Sequence, residues 1–110
     1  MKLPNGNNAL VSKEKLTGYL LSETHAVGKA KAKFFRKLGF NESNVNKFEK
    51  SLLNIAKRNE IKNVKEFTYG INYVLEGKIK TPSRKIITLV TVWFTKTKGG
   101  RPSFVTAYPV

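Results

Sequence analysis

The apolar residues change their period once along the chain, near Val64, and that switch limits the possible folds more than any other feature. Before it they recur at helical spacing. Ser12 is placed to cap a short helix reaching about Leu21, with Glu14 in its first turn and Leu16, Tyr19 and Leu20 on one face. Ala30, Phe34 and Leu38, widened by Phe35, mark a second helix that begins near His25 and stops at Gly39 as a C′ glycine. A third runs from about Ser43 to Asn59; Val45, Phe48, Leu52, Ile55 and Ala56 form its buried face, and Lys47, Lys50, Lys57 and Arg58 lie outside it.

After the switch the sequence reads as strands. FTYGINYVLEGKI (67–79) alternates, with Gly70 and Gly77 marking a bulge or bend. KTPSRK (80–85) is a turn, and KIITLVTVWFTKT (85–97) is the strongest strand pattern. KGGRP (98–102) closes a hairpin onto a last strand, SFVTAYPV (103–110). Residues 1–11 form an extended lead-in broken by Pro4-Asn5-Gly6-Asn7-Asn8. Helices first and an antiparallel meander second give an α+β fold. The N-terminal helices (about 12–59) pack on one face of a C-terminal antiparallel sheet (about 67–109), in one domain spanning 1–110.

The two sides of that sheet differ. Ile86, Thr88, Val90, Val92 and Phe94 share one side of the long strand, and Ile87, Leu89, Thr91, Trp93 and Thr95 the other. In the last strand Val105 and Ala107 face away from Phe104, Thr106 and Tyr108. If the aliphatic sets cover the helices, Thr91, Trp93, Thr106 and Tyr108 emerge together on the open face. They would form an RNA cradle; the plainer reading makes Trp93 and Tyr108 second-layer core.

Charge points to a polyanion. Lys plus Arg is 21 against 7 Glu and no Asp, a net charge of +14, and such a field draws nucleic acid above all. The absence of cysteine removes disulfides and thiol chemistry. No apolar run reaches the roughly 20 residues that span a bilayer, so no membrane partner is expected. The N-terminus carries no signal-peptide core, so export would need a larger parent polypeptide or a dedicated machine.

The candidate chemistry is metal-free. There is one histidine, and the seven glutamates are scattered singly, so neither a metal nor a cofactor is expected. RNA cleavage can proceed with a base at the 2′-hydroxyl, cations at the phosphorane and an acid at the leaving oxygen. His25, with a reference pKa of about 6.5 for its type, suits either proton-transfer role. Lys29 follows one helical turn later, and Gly28 gives a phosphate room to approach. On the residues alone, His25 reads equally as a helix cap.

A set of segments adds to this: LPN (3–5), YLLSETHAVGKAKAKFFRKLGF (19–40), YGINYVLEG (69–77), TVW (91–93) and FVTAYP (104–109). Together they resemble an uncharacterised bacterial toxin-associated domain family with the pattern LPN…H-x-x-G-[KR]-x-K-A-x-F-F…TVW…VTAYP. Position 26 departs from it, being alanine where proline is expected. The order of elements is also similar to the barnase–EndoU–colicin–RelE ribonuclease superfamily, whose members include toxin domains of contact-dependent inhibition systems.

The resemblance implies a metal-independent endoribonuclease toxin domain acting on transfer RNA and leaving a 2′,3′-cyclic phosphate. A cognate immunity protein or antitoxin is implied as partner, and a host factor such as elongation factor Tu is a further one. Carried by a secreted or surface toxin, such a domain acts in the target-cell cytoplasm; a stand-alone toxin of a toxin–antitoxin pair is itself cytoplasmic. Onto this sequence it places His25, Lys29, Lys31, Thr106 and Tyr108 in catalysis. Lys33, Arg36, Thr91, Trp93 and Arg101 are then RNA contacts, Arg101 as a bidentate phosphate clamp. The alternative from another class is a non-catalytic basic RNA-binding module.

Overall fold

The structure, a computed structural model, describes residues 1–26 and 28–110. Helix α1 (Lys13–Lys15) opens at Ser12, whose Oγ accepts from the Lys15 N–H at 3.2 Å. It widens at once into a π-helical stretch, Leu16–Leu20, closed by the Leu21 N–H on the Leu16 carbonyl at 2.7 Å. That wider turn buries Leu16 and Leu20 completely and leaves Tyr19 half-buried beside them.

Helix α2 (Lys29–Lys37) starts four residues later than the apolar spacing suggests, and position 27, within the expected stretch, lies outside the described residues. Its inward stripe is Ala32, Phe35 and Leu38; Ala30 is exposed and Phe34 only half-buried. The stop at Gly39 is as expected. With φ at +97°, its N–H bonds to the Arg36 carbonyl and the Phe40 N–H to that of Phe35, at 3.0 and 3.2 Å. Helix α3 (Val45–Arg58) follows a 3₁₀ turn (Glu42–Asn44) and buries Phe48, Leu52, Ile55 and Ala56, the expected face except for Val45, which is half-buried. Phe48 stacks on Phe40 at 4.2 Å and meets Phe35 at 5.0 Å, which ties α3 to the end of α2.

Four strands, β1 (Ile61–Phe67), β2 (Gly70–Lys80), β3 (Ile86–Thr95) and β4 (Ser103–Pro109), form an antiparallel sheet in the order β1-β2-β3-β4. Three helices against a four-stranded antiparallel sheet make the α+β fold that the change of period implies. Strand β1 lies outside the expected sheet limits. It is an edge strand, exposed over most of its length, so IKNVKEF carries no buried alternation to read. The bulges fall between Ile61 and Asn63 and opposite Val92/Trp93 rather than at the two glycines. Those glycines serve close approach instead. A Cβ on Gly77 would sit 2.8 Å from Ile55 of α3, and one on Gly70 would sit 2.3 Å from the Phe94 ring.

The sheet turns the side of β3 that carries Leu89, Thr91, Trp93 and Thr95 toward the helices, and all four are buried. The expectation that Thr91 and Trp93 lie on the open face is therefore overturned. Val90, Val92 and Phe94 face out, half-exposed, and Tyr108 and Thr106 pair opposite Val90 and Val92 on that same side. The bulge at Val105 reverses the alternation of β4, so Phe104 joins Ala107 in the core, its ring 5.4 Å from that of Trp93.

Two buried threonines on this strand should respond oppositely to the same change. Thr91 Oγ donates to the Leu75 carbonyl at 3.0 Å and accepts from the Trp93 indole at 2.9 Å, whereas the Thr95 hydroxyl has no partner among the described residues. Thr91→Val leaves the buried Trp93 indole N–H without its acceptor and should cost about 1–3 kcal/mol in chemical denaturation, while Thr95→Val should be neutral or stabilising.

Candidate functional site

The side chain of Lys31 gathers the residues that matter here. Position 31 lies on the flank of α2, between the buried Ala32/Phe35 stripe and solvent, so its stem is covered while its ammonium reaches the β4 edge. There Nζ donates to Tyr19 Oη at 2.9 Å and to Thr106 Oγ1 at 3.0 Å. The two hydroxyls are themselves 3.1 Å apart. The Tyr19 and Tyr108 rings flank the charge at 5.3 and 5.8 Å, within cation–π range. Three separate segments meet on one cation: the π turn, α2 and β4.

The electrostatics act chiefly on Tyr19. Burial pushes its phenol up, but the hydrogen bonds with Lys31 and Thr106 and the charges of Lys31 and Lys15 outweigh it and hold the pKa below the ordinary value. Helical spacing groups Tyr19 with Leu16 and Leu20 on one helix face. Its place in the YLL…H segment was the available signal, and helical spacing alone could not show that its hydroxyl looks toward β4.

His25 packs against Tyr19, ring edge to ring face, with centroids 5.1 Å apart. Its backbone N–H is held by Ser22 Oγ, its carbonyl accepts from the Lys29 N–H at 3.0 Å, and its Nδ1 accepts from the Gly28 N–H at 3.0 Å. A neutral imidazole that accepts at Nδ1 carries its proton at Nε2, so this ring is set as a donor at Nε2. His25 therefore caps the turn into α2 and lines the site at once. Gly28 admits no phosphate: it is buried, and a Cβ there would lie 2.3 Å from the Tyr19 carbonyl oxygen. Its smallness lets the start of α2 rest on the π turn.

The remaining expected contacts divide. Lys29 and Lys33 are exposed on the far side of α2 from Lys31, lining a shallow groove with Glu23, Ala30, Arg36 and Lys37. Arg36 is engaged as a clamp. Its guanidinium donates twice to the Leu21 carbonyl, at 2.9 and 2.7 Å, and to Glu42 at 2.6 Å, which lowers the Glu42 pKa. Trp93 and Thr91, both 0% exposed, have no surface to offer RNA. Arg101 lies near the start of β4, its Nε donating to the Asn8 carbonyl at 2.6 Å, apart from the Lys31 cluster. Among the described residues no three His, Cys, Asp or Glu side chains are placed to hold a metal ion.

Residues 2–110 match the family described as domain of unknown function DUF6883, and the chain belongs to that family. Among solved structures, it is similar to a chain of the contact-dependent growth inhibition toxin–immunity protein complex from Klebsiella pneumoniae 342. The two share 18% sequence identity, with 96% of each chain covered and a TM-score of 0.73. At that identity the likeness is one of fold. No curated protein matches the chain.

The depressed phenol gives a direct check. A folded pKa below the unfolded one means that Tyr19 ionisation stabilises the fold only at alkaline pH, and that this contribution disappears as pH falls through the folded value. Titrating the ultraviolet absorbance of the four tyrosines should show one phenol ionising ahead of the rest. Lys31→Met should move that phenol's ionisation to higher pH.

Proposed function

We propose that this DUF6883 domain is the nuclease domain of a bacterial toxin, a metal-independent endoribonuclease held in check by a cognate immunity protein or antitoxin. The observation that carries the reading is the Lys31 ammonium fixed between Tyr19 Oη and Thr106 Oγ1, with His25 against Tyr19, on a chain of net charge +14. The fold shared with a chain of a toxin–immunity complex supports it. The strongly basic charge favours the toxin side of such a pair, since RNA is the polyanion it would meet. The resemblance to the barnase–EndoU–colicin–RelE superfamily makes transfer RNA the expected substrate, met in the cytoplasm of a target cell after delivery by a larger toxin.

The chemistry assigned to the site is transesterification. The Tyr19 phenolate, favoured by Lys31, takes the proton of the 2′-hydroxyl. The 2′-oxygen forms a bond to phosphorus as the bond to the 5′-oxygen breaks, leaving a 2′,3′-cyclic phosphate. Lys31 and the Thr106 hydroxyl stabilise the charge that builds on the non-bridging oxygens. His25, a donor at Nε2, hydrogen-bonds the departing 5′-oxygen, which takes its proton from water. Tyr108, itself exposed, offers its ring to the Lys31 charge and its hydroxyl to the substrate. Lys29 and Lys33, away from this centre, add to the field that brings RNA in.

The test is cleavage of total bacterial RNA by the purified domain in excess EDTA, with unfolding midpoints measured on every variant. Cyclic phosphate ends should form. Tyr19→Phe, Lys31→Met and His25→Ala should each lose about 10²–10⁴-fold in rate. The wild-type rate should climb with pH toward the Tyr19 pKa, and Tyr19→Phe should flatten that limb. Activity restored only by added magnesium or zinc contradicts the mechanism. Folded variants that all cleave at the wild-type rate overturn this site, and wild-type protein that binds RNA without cleaving it returns the chain to the RNA-binding module reading.

A further inference from the structure

The β1–β2 hairpin closes at the pair Phe67↔Gly70, and the turn between them presents Tyr69 to solvent at 67% exposure. Its ring is not isolated. Phe67 stacks on it nearly parallel, centroids 5.1 Å apart at 11°, and the Phe94 ring of β3 lies near it at 6.2 Å and 33°. Phe94 is itself seated over Gly70, where any Cβ would collide with it. Three aromatic rings thus form a ladder at one end of the open sheet face, and Tyr69 is the most exposed of them. Turn chemistry does not call for an aromatic at such a position; asparagine and glycine serve a tight hairpin better.

Cations surround the ladder. Lys65 Nζ sits 5.6 Å from the Phe67 ring. On the other flank, Phe94 lines a shallow cavity with Lys96, Arg101 and Ser103, and the bond from Arg101 Nε to the Asn8 carbonyl fixes that guanidinium at the rim. The neighbouring Glu66 alternates to the opposite side of β1 from Lys65 and Phe67. Phe94 shares its sheet face with Val90 and Val92, beside which Tyr108 and Thr106 stand. Four strand residues separate Phe94 from Val90, roughly 13 Å.

We propose that the Phe67–Tyr69–Phe94 ladder is a stacking platform for an unpaired base of the RNA strand, whose phosphates pass Lys65, Lys96 and Arg101 on the way to the Lys31 centre. This rests on the RNA reading above. It supplies the base contact that the buried Trp93 cannot make, because single-stranded RNA is held by π faces for its bases and cations for its backbone. The mixture of rings and cations, with carboxylates turned away, favours RNA over a protein ligand for this patch.

The experiment uses the whole chain and a labelled single-stranded 2′-O-methyl RNA, which lacks the attacking hydroxyl and stays intact, together with the same strand made abasic. Tyr69→Ala should weaken binding of the base-bearing strand by about 5- to 150-fold. Tyr69→Trp should preserve it, and the abasic strand should bind wild type and Tyr69→Ala alike. The slope of log affinity against log salt should not change in Tyr69→Ala, because no phosphate contact is lost. Equal binding of the base-bearing strand by wild type and Tyr69→Ala overturns the platform, leaves the RNA reading standing, and turns the patch into a surface for a protein partner. Wild-type protein that binds neither strand overturns both.

Discussion

The indole of Trp93 donates to the Thr91 hydroxyl, which donates in turn to the Leu75 carbonyl on the next strand. This buried chain of bonds decides which side of β3 faces the helices. A strand has a period of two, so a slip of one residue would drive Val90, Val92 and Phe94 inward and put Trp93 in water. Aliphatic and aromatic burial alone would nearly balance between the two choices. The indole tips the choice, because its N–H needs a partner once buried and Thr91 on the same face supplies it. With β3 set this way, β4 must present Thr106 and Tyr108 outward through its pairing with Val92 and Val90.

Burying Phe104 together with Ala107 then requires an extra residue in β4, and the bulge at Val105 provides it. The edge so formed is covered in two places. Leu10 of the N-terminal lead-in bonds through its backbone to Pro102 and Phe104, and Tyr19 with Lys31 closes over Thr106 farther along. An uncovered edge strand invites pairing with another chain. The same contacts that protect this edge gather a cation, two hydroxyls and two rings at one point, so the candidate chemistry and the management of the edge share their atoms. The π turn is part of this arrangement, because a regular helix would place Tyr19 at a different angle from Leu16 and Leu20.

The sequence made the α3 stripe, the Gly39 stop and the two inner strands legible, since each rests on a local pattern that burial reinforces. It hid β1, whose lysines, asparagine and glutamate meet water on both faces and leave no period to find. It hid the facing of β3 for a different reason. Both of its sides are apolar, and only the pairing of the Trp93 N–H with Thr91 separates them. His25, Lys31, Thr106 and Tyr108 were legible as a set through resemblance, and the structure does bring them together around Tyr19. Lys29 was placed by counting along a helix from His25. The count is right for the backbone, because the Lys29 N–H does bond to the His25 carbonyl. Yet the side chain leaves around the helix from Lys31, a direction that spacing from a residue outside the helix does not fix.

The distribution of charge adds a last point. Lys29, Lys33 and Lys37 line the outer groove of α2 and belong to the long-range field, which salt screens over about 10 Å. Lys31 differs in kind, because its ammonium is bound to two hydroxyls and flanked by two rings in a partly covered site where screening is weak. A chain of +14 has cations enough for attraction without this one. Holding a lysine so closely costs side-chain entropy and hydration, and a merely attractive surface has no reason to bear that cost. A site that stabilises charge in one fixed position does, since a donor already in place need not reorganise when the charge develops. The contrast between these lysines on one helix, more than the total charge, is what supports the proposed active centre over a basic patch.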